Sequence, residues 1–134
     1  MTDVVRIMEG SIQSGLEGTE YADRILGCQS VTFQERMESG GVVAGDALNR
    51  TILFTTAMME VKSSMGVIVA APTAGSCGAL PGACLGVASA LGRSEQETVQ
   101  AMLAAGMVGV FVAGHATFAA EVGGCMAECG AGSG

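Results

Sequence analysis

Between Asp3 and Leu16 the apolar residues Val5, Met8, Ile12 and Leu16 recur three or four apart, while Asp3, Arg6, Glu9 and Gln13 fall mainly on the other side. That spacing predicts an amphipathic surface helix. Gly18, Gly27, Gly40, Gly41 and Gly45 then interrupt residues 17–45 and no period persists, which predicts loops with a short helix around Thr32–Met37. A second long helix is predicted from near Asp46 to about Ser64. Asp46 is placed to cap free N–H groups and to favour the positive end of the helix dipole, and Arg50 follows one turn later as its partner. Leu48, Ile52, Leu53, Met58, Met59 and Val61 make this helix apolar over much of its circumference, leaving Asn49, Arg50, Glu60 and Ser63 as a narrow polar strip.

The β-branched run VIVAA at 67–71 favours an extended segment, followed by the polar turn APTAGSCG at 71–78 and a helix over roughly Gly82–Leu91. Gly92 supplies a stop, and Ser94 with Glu97 has the pattern of a capping box that opens another helix. From Val99 to Val112 almost every residue is apolar or small, so this helix is expected in the middle of the fold, with Gly114 ending or bending it. Gly123 and Gly124 introduce a last helical segment that the chain leaves short. The expected fold is all-α: a compact multi-helix domain around a buried Ala/Gly/Met-rich central helix, with residues 1–134 forming part of a larger helical domain.

Composition refines this picture. With 134 residues, 21 Gly, 9 Met, no Trp and few aromatics, the chain fits one domain whose core is built from Ala, Val, Leu and Met with backbones packed close at glycines. A net charge of −7, with Arg93 the only Lys or Arg beyond Lys62, excludes the basic footprint of a nucleic-acid binder. Five cysteines without a secretory signal fit a reducing, cytoplasmic compartment better than a disulfide framework. Residues 63–92 and the stretch Thr98–Ala120 carry no charged side chain, and either is long enough to cross a bilayer. Pro72, Pro81 and several glycines break the first, and the Ala/Gly content and His115 of the second suit a protein environment, so no membrane span is expected.

Candidate chemistry is concentrated in the second half. Cys77 and Cys84, like Cys125 and Cys129, lack the close two-residue spacing of zinc and common iron–sulfur sites, and each thiol taken singly reads as a small buried hydrophobe. Cys125 differs because Gly123 and Gly124 let the backbone approach a bulky inorganic group, with Glu121 and Glu128 near in sequence. A single histidine, His115, rules out a multi-histidine zinc site made by this chain alone and reads as a hydrogen-bonded core residue or a catalyst. Glu121, among Phe118, Ala119, Ala120 and Val122, is expected to be paired or part of a site if buried. The 71–78 turn matches no phosphate-binding fingerprint. It is either a tight connection or a ligand loop in which Thr73, Gly75 and Ser76 donate to a small anionic ligand.

The runs MGVIVAAPTAGSCGALPG at 65–82 and ATFAAEVGGCMAECGAGSG at 116–134 resemble two signature stretches of the alpha domain of iron–sulfur-dependent L-serine dehydratases, and SGGVVAGDALNR at 39–50 resembles a third, weaker one. The resemblance covers the chain from about Ser39 onward. It implies an all-helical domain, a [4Fe-4S] cluster held by three cysteines with one iron open to L-serine, and loss of water to an aminoacrylate that tautomerises and hydrolyses to pyruvate and ammonia. Cys125 takes the position of the first cluster ligand, while Thr73, Gly75 and Ser76 lie in the loop that lines the substrate pocket. The other two ligands belong to later Cys-Asp-Pro and Pro-Cys motifs outside this chain, so neither Cys77 nor Cys129 replaces them.

Met126 stands where the family usually has Gln and His115 where Asn is common, and an early helical portion of the alpha domain is expected before Met1. A beta domain or subunit is the implied partner, in an oligomeric enzyme, and this chain alone is expected to be incomplete and inactive. The rival readings are a non-catalytic helical interaction module whose exposed apolar surface pairs with another chain, and a related lyase or desulfidase acting on another small amino acid.

Overall fold

The computed structural model describes residues 1–134. It contains seven helices and no strand: α1 Thr2–Glu17, α2 Gln29–Glu38, α3 Asp46–Ser63, α4 Ala79–Ala90, α5 Glu95–His115, α6 Ala120–Gly123 and α7 Cys125–Ser133. The all-α expectation holds. So does the amphipathic reading of α1, whose Val5, Met8 and Ile12 join Met58, Leu85 and Met102 in the buried core.

The tightest packing lies between α3 and α4, and glycine is its cause. Gly78, Gly82 and Gly86 fall four apart, on one face. A Cβ added at Gly82 would lie 2.7 Å from the Thr55 nitrogen, and one at Gly86 2.7 Å from the Thr51 nitrogen. The helices therefore meet backbone to backbone, a distance that any larger residue forbids. α1 crosses α3 in the same way, because a Cβ at Gly15 would come within 2.7 Å of the Ala57 Cβ.

Polar ties lock the loops to this scaffold. Glu60 of α3 reaches the start of α2 and accepts from the Gln29 N–H at 2.6 Å and from the Ser30 hydroxyl, with the Cys28 thiol at 3.3 Å and Arg24 Nη2 at 3.5 Å. Burial alone would push the Glu60 carboxyl up; donation from Ser30, Gln29 and Cys28 outweighs it and holds the carboxyl below its ordinary range. This long-range cap explains why α2 spans ten residues rather than the shorter Thr32–Met37 segment expected. Asn49 is buried, not part of a solvated strip, and its side-chain amide donates to the Val43 carbonyl at 2.8 Å. Asp46 is the first residue of α3 and makes no capping bond to its N–H groups, while its pairing with Arg50 at 3.0 Å is as expected.

Residues 67–70 form neither helix nor strand; the Ser11 hydroxyl, 2.6 Å from the Val67 carbonyl, fastens them to α1. Pro81 sits inside the first turn of α4, where a missing N–H costs nothing, so the helix starts at Ala79, ahead of the expected Gly82. At α5 the Ser94–Glu97 capping box is present with both reciprocal bonds, and Gly92 takes φ +62.

The expected burial of α5 is overturned. Only Thr98 and Met102 are buried, whereas Leu103, Met107, Val110 and Phe111 are exposed, Phe111 at 66%. α5 packs on α1 and α4, and in its second half Ala105, Gly109 and Val112 are partly covered while the remaining residues are exposed. The helix ends at His115, one residue past Gly114, close to the expected end. Its length and mean hydropathy of 1.4 also meet the size and composition required to cross a membrane.

Candidate functional site

Gly124 takes φ +71 between the last residue of α6 and the first of α7, so it delivers Cys125 to the start of a nine-residue helix. Helix spacing then places Cys125, Glu128 and Gly132 on one face. That face meets the 71–78 turn: Thr73 Oγ1 donates to Glu128 Oε1 at 2.7 Å, and a Cβ added at Gly132 would lie 3.1 Å from the Ser76 Cβ. At Gly75 an added Cβ would overlap the Glu128 carboxylate, so the absence of a side chain there makes the seat for that group.

Within the turn, Ser76 N–H donates to Thr73 Oγ1 at 3.2 Å, and the two hydroxyl oxygens lie 3.0 Å apart. Thr73 is half-buried and Ser76 buried. The structure thus brings Thr73, Gly75 and Ser76 together around Glu128. The Thr73 and Ser76 hydroxyls are engaged with each other, and that of Thr73 also with the Glu128 carboxylate. Behind the turn an apolar groove of about 550 Å³ runs between α1 and α5, with Val69, Pro72, Leu80, Met102, Phe118 and Gly132 among its walls.

The cysteines separate into distinct surroundings. Cys77 is buried, and burial pushes its thiol up against the opposing charge of Lys62. Burial also raises the Cys84 thiol. Both fit the reading of cysteine as a small core residue. Cys125 and Cys129 are exposed, and all five thiols are free. No three His, Cys, Asp or Glu side chains converge as a metal-binding group. Cys125 nevertheless suits a ligand supplied singly: it is exposed, it begins a helix whose free N–H groups favour an anionic partner, and an added Cβ at Gly124 would meet nothing within 4 Å.

Two residues singled out in the sequence lie at the surface. Glu121 is exposed and makes no ion pair, while Glu128, one turn beyond Cys125, is the carboxylate that engages the turn. The i, i+3 spacing from Cys125 after a glycine pair was the available signal for it. His115 is also exposed, at the end of α5, its Nδ1 lying 2.9 Å from the Phe111 carbonyl oxygen.

Comparison with known proteins extends this description. The family model described as serine dehydratase alpha chain matches residues 1–134. The chain is 34% identical over 128 residues to the probable L-serine dehydratase, alpha chain, of Bacillus subtilis (strain 168), covering 96% of this chain and 43% of that one. It is 38% identical over 134 residues to the L-serine dehydratase, alpha chain, of Peptoniphilus asaccharolyticus, covering 97% and 45%. A probable L-serine dehydratase alpha chain of Latilactobacillus sakei is 36% identical over 88 residues, covering 66% and 42%. The chain thus spans less than half the length of these relatives. No solved structure matches it significantly.

Proposed function

The chain belongs to the serine dehydratase alpha-chain family, and on that premise we propose that it supplies part of the active site of an L-serine ammonia-lyase, which converts L-serine to pyruvate and ammonia. The observation that carries this reading is the docking of α7, which bears Cys125, on the Thr73–Ser76 turn through Glu128. The residue at the cluster-ligand position and the residues at the substrate-loop position are thereby fixed relative to each other by one hydrogen bond and by glycine contacts at 75 and 132.

In this reading Cys125 is one of three thiolate ligands of a [4Fe-4S] cluster, the other two coming from outside these residues. When bound, such a cluster supplies Lewis-acid chemistry at an iron left open for the substrate hydroxyl. The chain's own residues orient the substrate: Thr73, Gly75 and Ser76 form one wall of its site. Seating α7 on the turn holds the Cys125 sulfur at a set distance from that wall, as orientation-dependent catalysis requires.

A beta chain or domain completes the enzyme, and the exposed residues Leu103, Met107, Val110 and Phe111 give α5 the apolar surface that such an assembly covers. Five free thiols support a cytoplasmic setting. Anaerobic reconstitution with iron and sulfide, followed by a pyruvate assay on L-serine, tests the proposal. The complete alpha chain with its beta partner should produce pyruvate and residues 1–134 alone should not. A fully loaded complete enzyme that leaves L-serine unchanged would refute the lyase reading, and turnover by residues 1–134 alone would refute the shared site.

A further inference from the structure

The hydroxyl protons of the 73–76 turn can be assigned by elimination. A carboxylate oxygen only accepts, so the single hydroxyl proton of Thr73 is committed to Glu128 Oε1 at 2.7 Å. Thr73 Oγ1 then has only lone pairs left for its neighbours, and it receives the Ser76 N–H at 3.2 Å. Ser76 Oγ, 3.0 Å from the same oxygen, must therefore be the donor in that contact. Both hydroxyl protons run inward toward Glu128. What remains for a ligand is acceptor capacity: the lone pairs of Ser76 Oγ and the second carboxylate oxygen, which accepts no hydrogen bond from the chain. Glu128 forms an ion pair with none of the six Lys and Arg residues.

We propose that Glu128 is a specificity-determining residue whose carboxylate, seated on Gly75 and fixed by Thr73, receives the ammonium group of a small amino-acid ligand. A lone carboxylate joined to acceptor-only hydroxyls attracts a cationic donor and repels a second carboxylate. The ligand thus docks on this turn by its ammonium end, leaving its hydroxyl and carboxylate to groups elsewhere. The inference rests on the proposed function only for the class of ligand, a small hydroxy amino acid.

Calorimetric titration of the metal-free chain with two fragments of that ligand tests it. Ethanolammonium keeps the ammonium and hydroxyl groups, and 3-hydroxypropionate keeps the hydroxyl and carboxylate. Ethanolammonium should bind in preference, and Glu128→Gln, whose amide oxygen still accepts from Thr73, should weaken it at least tenfold. Gly75→Ala, which displaces the flexible end of Glu128 rather than any backbone, should do the same with the helical circular dichroism unchanged. Preference for 3-hydroxypropionate, no binding of ethanolammonium, or equal affinity in Glu128→Gln would overturn the assignment. This outcome is separate from that of the pyruvate assay: an ammonium-selective turn in an enzyme that makes no pyruvate would refute the lyase reading alone.

Discussion

Gly82 and Gly86 of α4 and Gly106 and Gly109 of α5 sit in helical stretches of nearly the same make-up, rich in Ala, Val, Leu and Gly. In α4 the glycines face Thr55 and Thr51 of α3 at backbone contact; in α5 an added Cβ at either position would meet nothing within 4 Å. The difference teaches that small-residue composition marks a surface able to pack closely, and that only a facing partner turns it into a core. α3 faces α4 from end to end. The second half of α5 has no such neighbour among these residues.

Substituting those glycines sets the sharpest contrast, since the two sites should respond with opposite sign. Gly86→Ala should lower stability by about 3 kcal/mol, because a Cβ there displaces helix backbone rather than a mobile side-chain tip. Gly106→Ala should raise it by up to about 1 kcal/mol, the gain in helix propensity at an open position. Chemical denaturation of both variants measures the pair, and equal destabilisation would erase the distinction between the helices.

Glu60 provides the next largest effect, on the packed side of the comparison. Its side chain is 12% exposed and satisfies the start of α2. Glu60→Gln should cost about 2 kcal/mol, the scale of charge-assisted hydrogen bonds. Because the folded carboxyl is held below its ordinary value of 4.5, its stabilisation is fully present above that pH and is lost as the pH falls through the lower folded value. Acid denaturation of the parent should therefore be steeper than that of Glu60→Gln; parallel acid limbs would show that the carboxylate contributes nothing. At the start of α5, Ser94→Ala should cost about 1 kcal/mol through loss of the N-cap. A thermal melt reads this smallest change, and an unchanged midpoint would mean that the opening turn of α5 is not held by its cap.

What the sequence disclosed followed from local chemistry. The stripe of α1, the start of α3 at Asp46 and the Ser94–Glu97 box depend on residues within one or two turns of each other, and all three are in place. What it concealed depended on partners distant in the chain. α2 owes its extent to Glu60, thirty positions away from Ser30, and Asn49 is buried because the 39–45 loop folds over it. The apolar run of α5 states what the helix can bury and not what is there to bury it.

The same division holds in the site. The Thr73–Ser76 turn and Cys125 stood out by motif, whereas Glu128 was noted only as a sequence neighbour of Cys125, beside Glu121. An argument from apolar neighbours favoured Glu121, whereas the face shared by Cys125, Glu128 and Gly132 becomes decisive only once α7 lies on the turn.

The central claim is the proposed role of Cys125 as a ligand of the cluster. Iron and acid-labile sulfide analysis of the complete enzyme, reconstituted anaerobically with Cys125→Ser and compared with the parent under the same conditions, tests it most directly. The account predicts a [4Fe-4S] complement in the parent and its loss in the variant, with helical content preserved in both. A full cluster retained by Cys125→Ser would contradict it.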